Sequence, residues 1–332
     1  MENSNKILLI DVSNLLFRCY YVFKNLSNKK GQKTGAIYGF LNMLLFYKEK
    51  TGISNMILCW DSPSETNWRL AIYPEYKENR RLGTDGDPEK LKKMIEVLLK
   101  RKKHPENEKK LVKKLEKLIV LKDIVFAKDK IWNITNKSGF INVYKPQFEA
   151  DDLIAMLTKK LKKNIRILSC DKDLLQLIDD FKNIKVYKPM MGHGTSLNKS
   201  YTIYNEKKVF EEYGIYPKDF HHILAITGDG TDNVEGVRGF AYKRAVKLFN
   251  EKNGDIKKGL DEDNYKIYER NILLVGLHSL PGELSKNDFG EGILDTKGAQ
   301  KILDNLEIRK FNSKQLKKLN NPEFKENLIE RF

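Results

Sequence analysis

Gln147-Phe-Glu149-Ala-Asp151-Asp152-Leu153-Ile154, followed further along by Ile165-Arg-Ile-Leu-Ser169 and Cys170-Asp171-Lys172-Asp173, is the stretch on which the fold turns. Leu153, Ile154, Leu157 and Leu161 recur at helical spacing and predict a short amphipathic helix; the apolar run 165–169 predicts a buried strand. Five carboxylates crowd this one helix-to-strand step in a chain with 61 Lys and Arg against 45 Asp and Glu. Crowded carboxylates repel unless protons or cations neutralise them, and oxygen-only ligand sets suit hard cations such as Mg²⁺ or Mn²⁺. In a regular helix Glu149 and Asp152 share a face, whereas Asp151 is rotated by roughly 200° from Glu149. All three meet one site only if the first turn is irregular or Asp151 acts through water.

Working outward, the same pattern recurs. Lys6-Ile-Leu-Leu-Ile-Asp11 and Met56-Ile-Leu-Cys-Trp60 read as strands buried on both faces, the first ending in Asp11 and the second followed by Asp61. Helices are expected over 15–21 and 35–50, a third strand over 140–144, a helix over 174–178, and a closing hairpin from 184–188 and 201–204 around Gly192-His-Gly194. This is an α/β pattern with a central, mainly parallel sheet flanked by helices. Open sheets of that kind place their sites at the strands' carboxyl ends, where Asp11 and Asp61 fall. From Asn205 short helices take over (206–213, 217–227, 242–250), so the chain divides into an α/β core, 1–204, and a helical region, 205–332.

A formal net charge of +16 points to a polyanionic partner. Thirteen Lys and Arg against six Asp and Glu between Asp87 and Lys122 supply nearly half of that excess. Leu91, Met94, Ile95 and Leu98 form one apolar stripe there and Leu111, Leu115, Leu118 and Ile119 another, separated by Lys102-Lys-His-Pro-Glu-Asn107, which predicts a basic helical hairpin. A solvated hairpin without function is the bland reading of such a charge run. No apolar run approaches the ~20 residues of a membrane span and no signal-peptide pattern opens the chain, so membranes are excluded and a cytoplasmic protein is expected. Cys19, Cys59 and Cys170 are scattered among apolar residues and read as reduced thiols.

Two further stretches carry chemistry. Trp68-Arg69-Leu-Ala-Ile-Tyr-Pro-Glu-Tyr76-Lys77-Glu-Asn-Arg80-Arg81 mixes basic and aromatic side chains suited to phosphate contact and base stacking. Gly228-Asp229-Gly-Thr-Asp232-Asn233-Val-Glu-Gly236-Val-Arg-Gly239-Phe-Ala-Tyr-Lys243-Arg244 adds two acids and a glycine-rich approach to a helix start, where backbone amides and Lys243 can meet a phosphate.

Together, Asp11, Trp60-Asp61, the block from Pro74 to Arg80, Phe148 to Asp152, Cys170 to Asp173 and Gly228 to Val234 resemble, in order and spacing, the 5′ nuclease or flap endonuclease superfamily. The long lysine-rich insert is similar to that of free-standing bacteriophage 5′ to 3′ exonucleases of the ribonuclease H type, which remove RNA primers and DNA flaps. The resemblance implies a PIN-like, resolvase-like core with a helical arch inserted over about 69–135 and a C-terminal helix-three-turn-helix region. It also implies Mg²⁺-dependent two-metal phosphodiester hydrolysis in DNA replication, with Mn²⁺ as a substitute. On it, Asp11, Asp61, Glu149, Asp151 and Asp171 match positions around a first metal, Asp173, Asp229 and Asp232 those around a second, and Asp152 the accompanying acid. Lys77 and Arg80 match catalytic residues that reach the scissile phosphate. Arg69, Tyr76, Arg81, Gly236, Gly239, Lys243 and Arg244 join them as nucleic-acid contacts, Tyr76 by stacking on a nucleotide. The expected partners are DNA and RNA–DNA duplexes with 5′ flaps or ends, with a sliding clamp or single-strand-binding protein as family partners, and the protein is expected to be a monomer. The usual Gly-Val-Pro-Gly-Ile-Gly-Pro-Lys becomes Gly236-Val-Arg-Gly-Phe-Ala-Tyr-Lys243 here, which weakens the case for the family's K⁺ at that loop. Taken singly, Asp11 or Asp61 is as well explained as a helix N-cap. The competing readings are a non-catalytic binder of branched nucleic acid and a PIN-type ribonuclease.

Overall fold

The structure, a computed structural model, describes residues 5–78, 106–190, 201–290 and 292–312, with scattered positions from there to Phe332. Arg80, Arg81, the stripe Leu91 to Leu98 and the turn Gly192 to Gly194 lie outside the described residues.

The first strand, β1 (Ile7–Asp11), is buried along its whole length, as a strand covered on both faces must be. Around it stand β2 (Asn55–Trp60), β3 (Ile141–Tyr144), β4 (Ile165–Leu168), β5 (Lys185–Pro189) and β6 (Tyr201–Tyr204) in the order β3-β2-β1-β4-β5-β6. All pairs are parallel except β5 with β6, the expected hairpin. Alternation along β1 divides the core. Leu8 and Ile10 pack with α1 (Val12–Val22), α2 (Gly35–Thr51) and α3 (Glu106–Lys137); Ile7 and Leu9 pack with α4 (Ala150–Leu161). Leu153, Ile154 and Leu157 of α4 are fully buried, each contributing about 1.5–3 kcal/mol of burial.

The expected second arm of the basic hairpin is the first half of α3, whose 32 residues run on to Lys137. Its latter half buries Ile124, Ala127, Ile131 and Ile134 at helical spacing, anchoring the insert on the core. The helix expected over 174–178 is a 3₁₀ turn, Asp173–Leu177. Beyond Tyr204 come α5 (Glu206–Tyr213), α6 (Phe220–Thr227), α7 (Tyr242–Glu251), α8 (Glu262–Val275) and α9 (Thr296–Asn305). Phe220, Ile223, Leu224, Leu274 and Val275 join the α4 side of the core, whereas Ala299, Leu303 and Phe311 join the opposite side. The chain after residue 204 therefore covers both faces of the sheet. No helix among the described residues is long and apolar enough to cross a membrane.

Candidate active site

Parallel register brings the strand-end acids to one edge. Asp11 stands opposite Cys59, two residues short of Asp61, and Ile10 stands opposite Leu168, which sets Ser169 level with Asp11 and Asp171 just beyond. Since β2 lies on one side of β1 and β4 on the other, this edge is the switch point of the sheet. Ser169 Oγ donates to Asp11 Oδ2 at 2.8 Å across the β1–β4 gap. Asn14 N–H donates to Asp11 Oδ1 at 3.1 Å, so Asp11 does cap α1. Asp61 accepts the Ala150 N–H at the start of α4 (3.0 Å) and the Ser13 hydroxyl, with Lys128 Nζ of α3 at 3.7 Å.

Glu149 has extended backbone (φ −91°, ψ 163°) and precedes α4 as its N-cap. The rotation expected between Glu149 and Asp151 therefore does not arise, because only Asp151 and Asp152 are helical. Asp152 is completely buried and committed elsewhere. It accepts the Glu149 N–H (3.0 Å), the Trp68 indole N–H (3.2 Å) and both terminal nitrogens of Arg69 (2.9 and 2.7 Å). Asp152, expected as the acid accompanying the metal ligands, is thus a buried counter-ion to Arg69 with both oxygens taken. Arg69, 3% exposed, with Nε donating to Leu274 O at 2.6 Å, is interior and not the nucleic-acid contact expected. Tyr76, expected to stack on a nucleotide, is interior likewise: 3% exposed, with its hydroxyl reaching Glu149 Oε2 (3.0 Å) and Asp232 Oδ2 (3.1 Å), it offers no face to a nucleotide. Lys77 lies beside it, its ammonium 2.5 Å from Glu149 Oε1 and 3.4 Å from Asp232 Oδ2.

The last two acids arrive on a closed loop. Asp229 and Val234 exchange backbone hydrogen bonds of 2.9 and 2.8 Å, Asn233 takes a left-handed conformation (φ 58°), and its side-chain amide donates to Glu75 O at 2.8 Å. Lys77 N–H donates to Asp232 O at 2.8 Å, which fastens the loop to the segment carrying Tyr76 and Lys77. Gly236 serves this closure. A Cβ there would stand 2.2 Å from Thr227 O, so the missing side chain permits a backbone crossing within the protein. Further on, α7 starts at Tyr242 without a side-chain cap, and its first turn carries the exposed Lys243 and Arg244. Cations there oppose the helix dipole, an arrangement that an anion at the helix start would relieve. Arg244 lies over Phe240 and donates to Gly239 O at 3.0 Å.

The carboxylates feel one another in a continuous line. Burial, then Asp61, pushes Asp11 up to about 7. Burial, then Asp171, Asp229 and Asp232, pushes Asp173 up to about 8. Asp151 is raised well above the ordinary range by burial and by Asp171, Asp11, Asp61 and Glu149. Burial also raises Asp171. Asp61 alone moves down, because Lys128, the Ala150 amide and the Ser13 hydroxyl together outweigh its burial. Asp173 Oδ1 is buried with no hydrogen-bond partner. Among the described residues no three Asp, Glu, His or Cys converge as the ligands of one ion do. The donor set is nonetheless all oxygen, crowded and under-neutralised, with an orphaned oxygen inside it, which fits hard divalent cations and not the His and Cys sets of zinc. The two expected ligand sets, Asp11, Asp61, Glu149, Asp151 and Asp171 and then Asp173, Asp229 and Asp232, thus line one edge of the sheet without closing on a common point, and would have to draw together to hold an ion.

A pH dependence follows. Asp11 and Asp173 keep protons in the folded, metal-free protein at pH values where the unfolded chain, near 3.8, has lost them. The folded state then binds more protons, so stability falls as pH rises from about 4 towards 8. Thermal unfolding in chelator should show Tm decreasing over pH 5 to 8, and added Mg²⁺ should raise Tm more at pH 8 than at pH 6. A metal-free Tm that rises across this window would contradict the crowding.

Ser13, Ser169, Lys128 and Gln176 also shape the site, and none carried a signal in the sequence beyond standing near a strand end or on a basic helix. Of the cysteines, Cys19 and Cys59 are buried thiols; Cys170 is only partly buried and meets Arg18 Nη1 at 3.7 Å.

A resolvase-like sheet with a line of acids along its carboxyl edge defines a nuclease. Residues 6–214 match the family model of the 5′-3′ exonuclease N-terminal resolvase-like domain, and the chain belongs to that family. A 5′-3′ exonuclease of Buchnera aphidicola subsp. Acyrthosiphon pisum is 32% identical over 251 residues, 74% of this chain and 71% of its own. Among solved structures, flap endonuclease-1 from Methanococcus jannaschii superposes with a TM-score of 0.59 at 18% identity, over 99% of this chain and 94% of that one. A bacteriophage T5 flap endonuclease, described as a pseudo-enzyme–product complex with DNA and metal ions, gives 0.53 at 20% identity, over 91% and 99%. These two likenesses concern the fold.

Proposed function

We propose that this nuclease is a structure-specific 5′ nuclease acting as a monomer in the cytoplasm on DNA and RNA–DNA duplexes with 5′ flaps or ends, with two Mg²⁺ ions that Mn²⁺ can replace. The observation that carries the reading is the line of carboxylates from Asp61 through Asp11, Asp151, Asp171 and Asp173 to Asp229, Asp11 buried and the rest half-buried, all but one of those with resolved shifts moved towards protonation and one oxygen of Asp173 left unpartnered. When bound, divalent cations lower the pKa of a water to make hydroxide near neutral pH and offset charge on the scissile phosphate. The chain's own side chains do the rest. Asp11 and Asp61 are oriented by Ser169, Asn14, Ser13 and the Ala150 amide, one bond to each carboxylate oxygen, which fixes how the two side chains stand at the sheet edge. Lys77 sits between Glu149 and Asp232, a cation that can turn from those acids to a phosphate. Lys243 and Arg244 at the start of α7 supply a duplex phosphate contact. A potassium ion at 236–243 is no part of this reading, because the loop departs from the family pattern.

The test is cleavage of 5′-labelled flap, nicked and RNA–DNA hybrid duplexes with Mg²⁺, reading labelled product sizes, beside binding titrations at several salt concentrations. Flap-length or shorter 5′ products that need divalent cation are expected, with affinity falling about 10³-fold between 50 and 200 mM salt. Products independent of the 5′ end, or a flat salt response, would overturn the assignment.

A further inference from the structure

Gln176 is 1% exposed and makes three hydrogen bonds, none to another side chain. Its Nε2 donates to Asp173 O at 2.8 Å and to Val275 O at 3.1 Å, and its Oε1 accepts the Leu277 N–H at 2.8 Å. One amide therefore joins the 3₁₀ turn that begins at Asp173 to the chain leaving α8. That chain, through Leu274, Val275 and Leu277, lines the same recess as Glu149, Asp151, Asp173, Asp229 and Asp232. It is held from its other side by Arg69 Nε on Leu274 O.

From this geometry we infer that Gln176 is a positioning residue for metal binding. It fixes the backbone of Asp173 against α8, and so sets where the orphaned carboxylate oxygen stands relative to Asp229 and Asp232. The carboxylate of Asp173 has no hydrogen bond of its own on Oδ1 to orient it, so its place depends on how its backbone is anchored. Gln176 Nε2 is the side-chain donor on that backbone carbonyl. Replacement by leucine, close in volume, removes all three bonds while leaving the packing among Leu174, Leu175 and Leu177 in place. Partners one step behind a metal's ligands typically change affinity by about 10–100-fold when lost.

The inference rests on Asp173 being a metal ligand, and its test separates the two ideas. Full-length Gln176→Leu, Gln176→Glu and Asp173→Asn are compared with the parent in Mn²⁺ binding, followed by the electron-spin signal of free Mn²⁺, and in flap cleavage resolved into kcat and KM. For Gln176→Leu the half-saturating Mn²⁺ should rise roughly tenfold or more, and kcat should fall at subsaturating metal and recover with excess Mn²⁺, while KM for the flap duplex stays within about twofold. Gln176→Glu retains the acceptor for Leu277 N–H but loses the donated bonds, so it should share the defect; this variant also answers should leucine fail to fold. A residue that only supports the fold would lower metal-free Tm and leave Mn²⁺ half-saturation unchanged, and that result overturns the inference. If Asp173→Asn itself binds Mn²⁺ and cleaves normally, the ligand assignment fails instead.

Discussion

Asp173→Asn should lower Mg²⁺-dependent cleavage by about 10²-fold or more while leaving the affinity for a 5′-flap duplex within about tenfold. The substitution keeps the shape and removes the charge. Burial, then the neighbouring acids, pushes Asp173 up to about 8, and its Oδ1 has no hydrogen-bond partner. Such an oxygen is costly to bury unless something neutralises it, and among the described residues no hydrogen bond reaches it, the Lys172 charge offsetting its burial only in part. Duplex affinity is expected to come from basic surfaces away from this carboxylate, including Lys243 and Arg244, hence the separation of turnover from binding. Single-turnover cleavage and fluorescence anisotropy on the same flap substrate measure both quantities, and unchanged turnover would sink the ligand assignment.

Arg69→Leu should be destabilising by about 3–5 kcal/mol, since it strands the fully buried Asp152 carboxylate without its bidentate partner. At about 2–4 °C per kcal/mol for a chain approaching this size, Tm should drop by roughly 10 °C. The double variant Arg69→Leu with Asp152→Leu should recover much of that loss, because neither charge is then left alone. Thermal unfolding of both variants is the measurement. If Arg69 acted on nucleic acid instead, its removal would weaken duplex binding with Tm unchanged.

How far the sequence reaches can be judged from these same residues. The sheet, its parallel direction and the delivery of Asp11, Asp61 and Asp171 to one edge all follow from apolar runs that end in acids, because burial on both faces leaves a strand few other patterns. The start of α4 is harder. A helical wheel places Glu149 inside the helix, whereas its extended backbone sets it outside, and that choice was made by Asp152 accepting its N–H. Periodicity carries no record of such a bond. Arg69 and Tyr76 mislead for another reason. A basic and aromatic run suggests a surface for phosphate and base, yet the partners that draw both side chains inward, Asp152, Glu149 and Asp232, are 73 to 156 positions away along the chain. Gln176 was silent because an amide among leucines looks like any polar residue at the edge of a short helix.

The loop bearing Asp229 and Asp232 is tied to Lys77 and Glu75, and both acids lie beyond residue 214, where the resolvase-like domain match stops. The end of the resolvase-like domain match is therefore not the end of the recess that the acids line. A fragment cut at that line would keep the sheet and its edge acids but lack the far bank of the site.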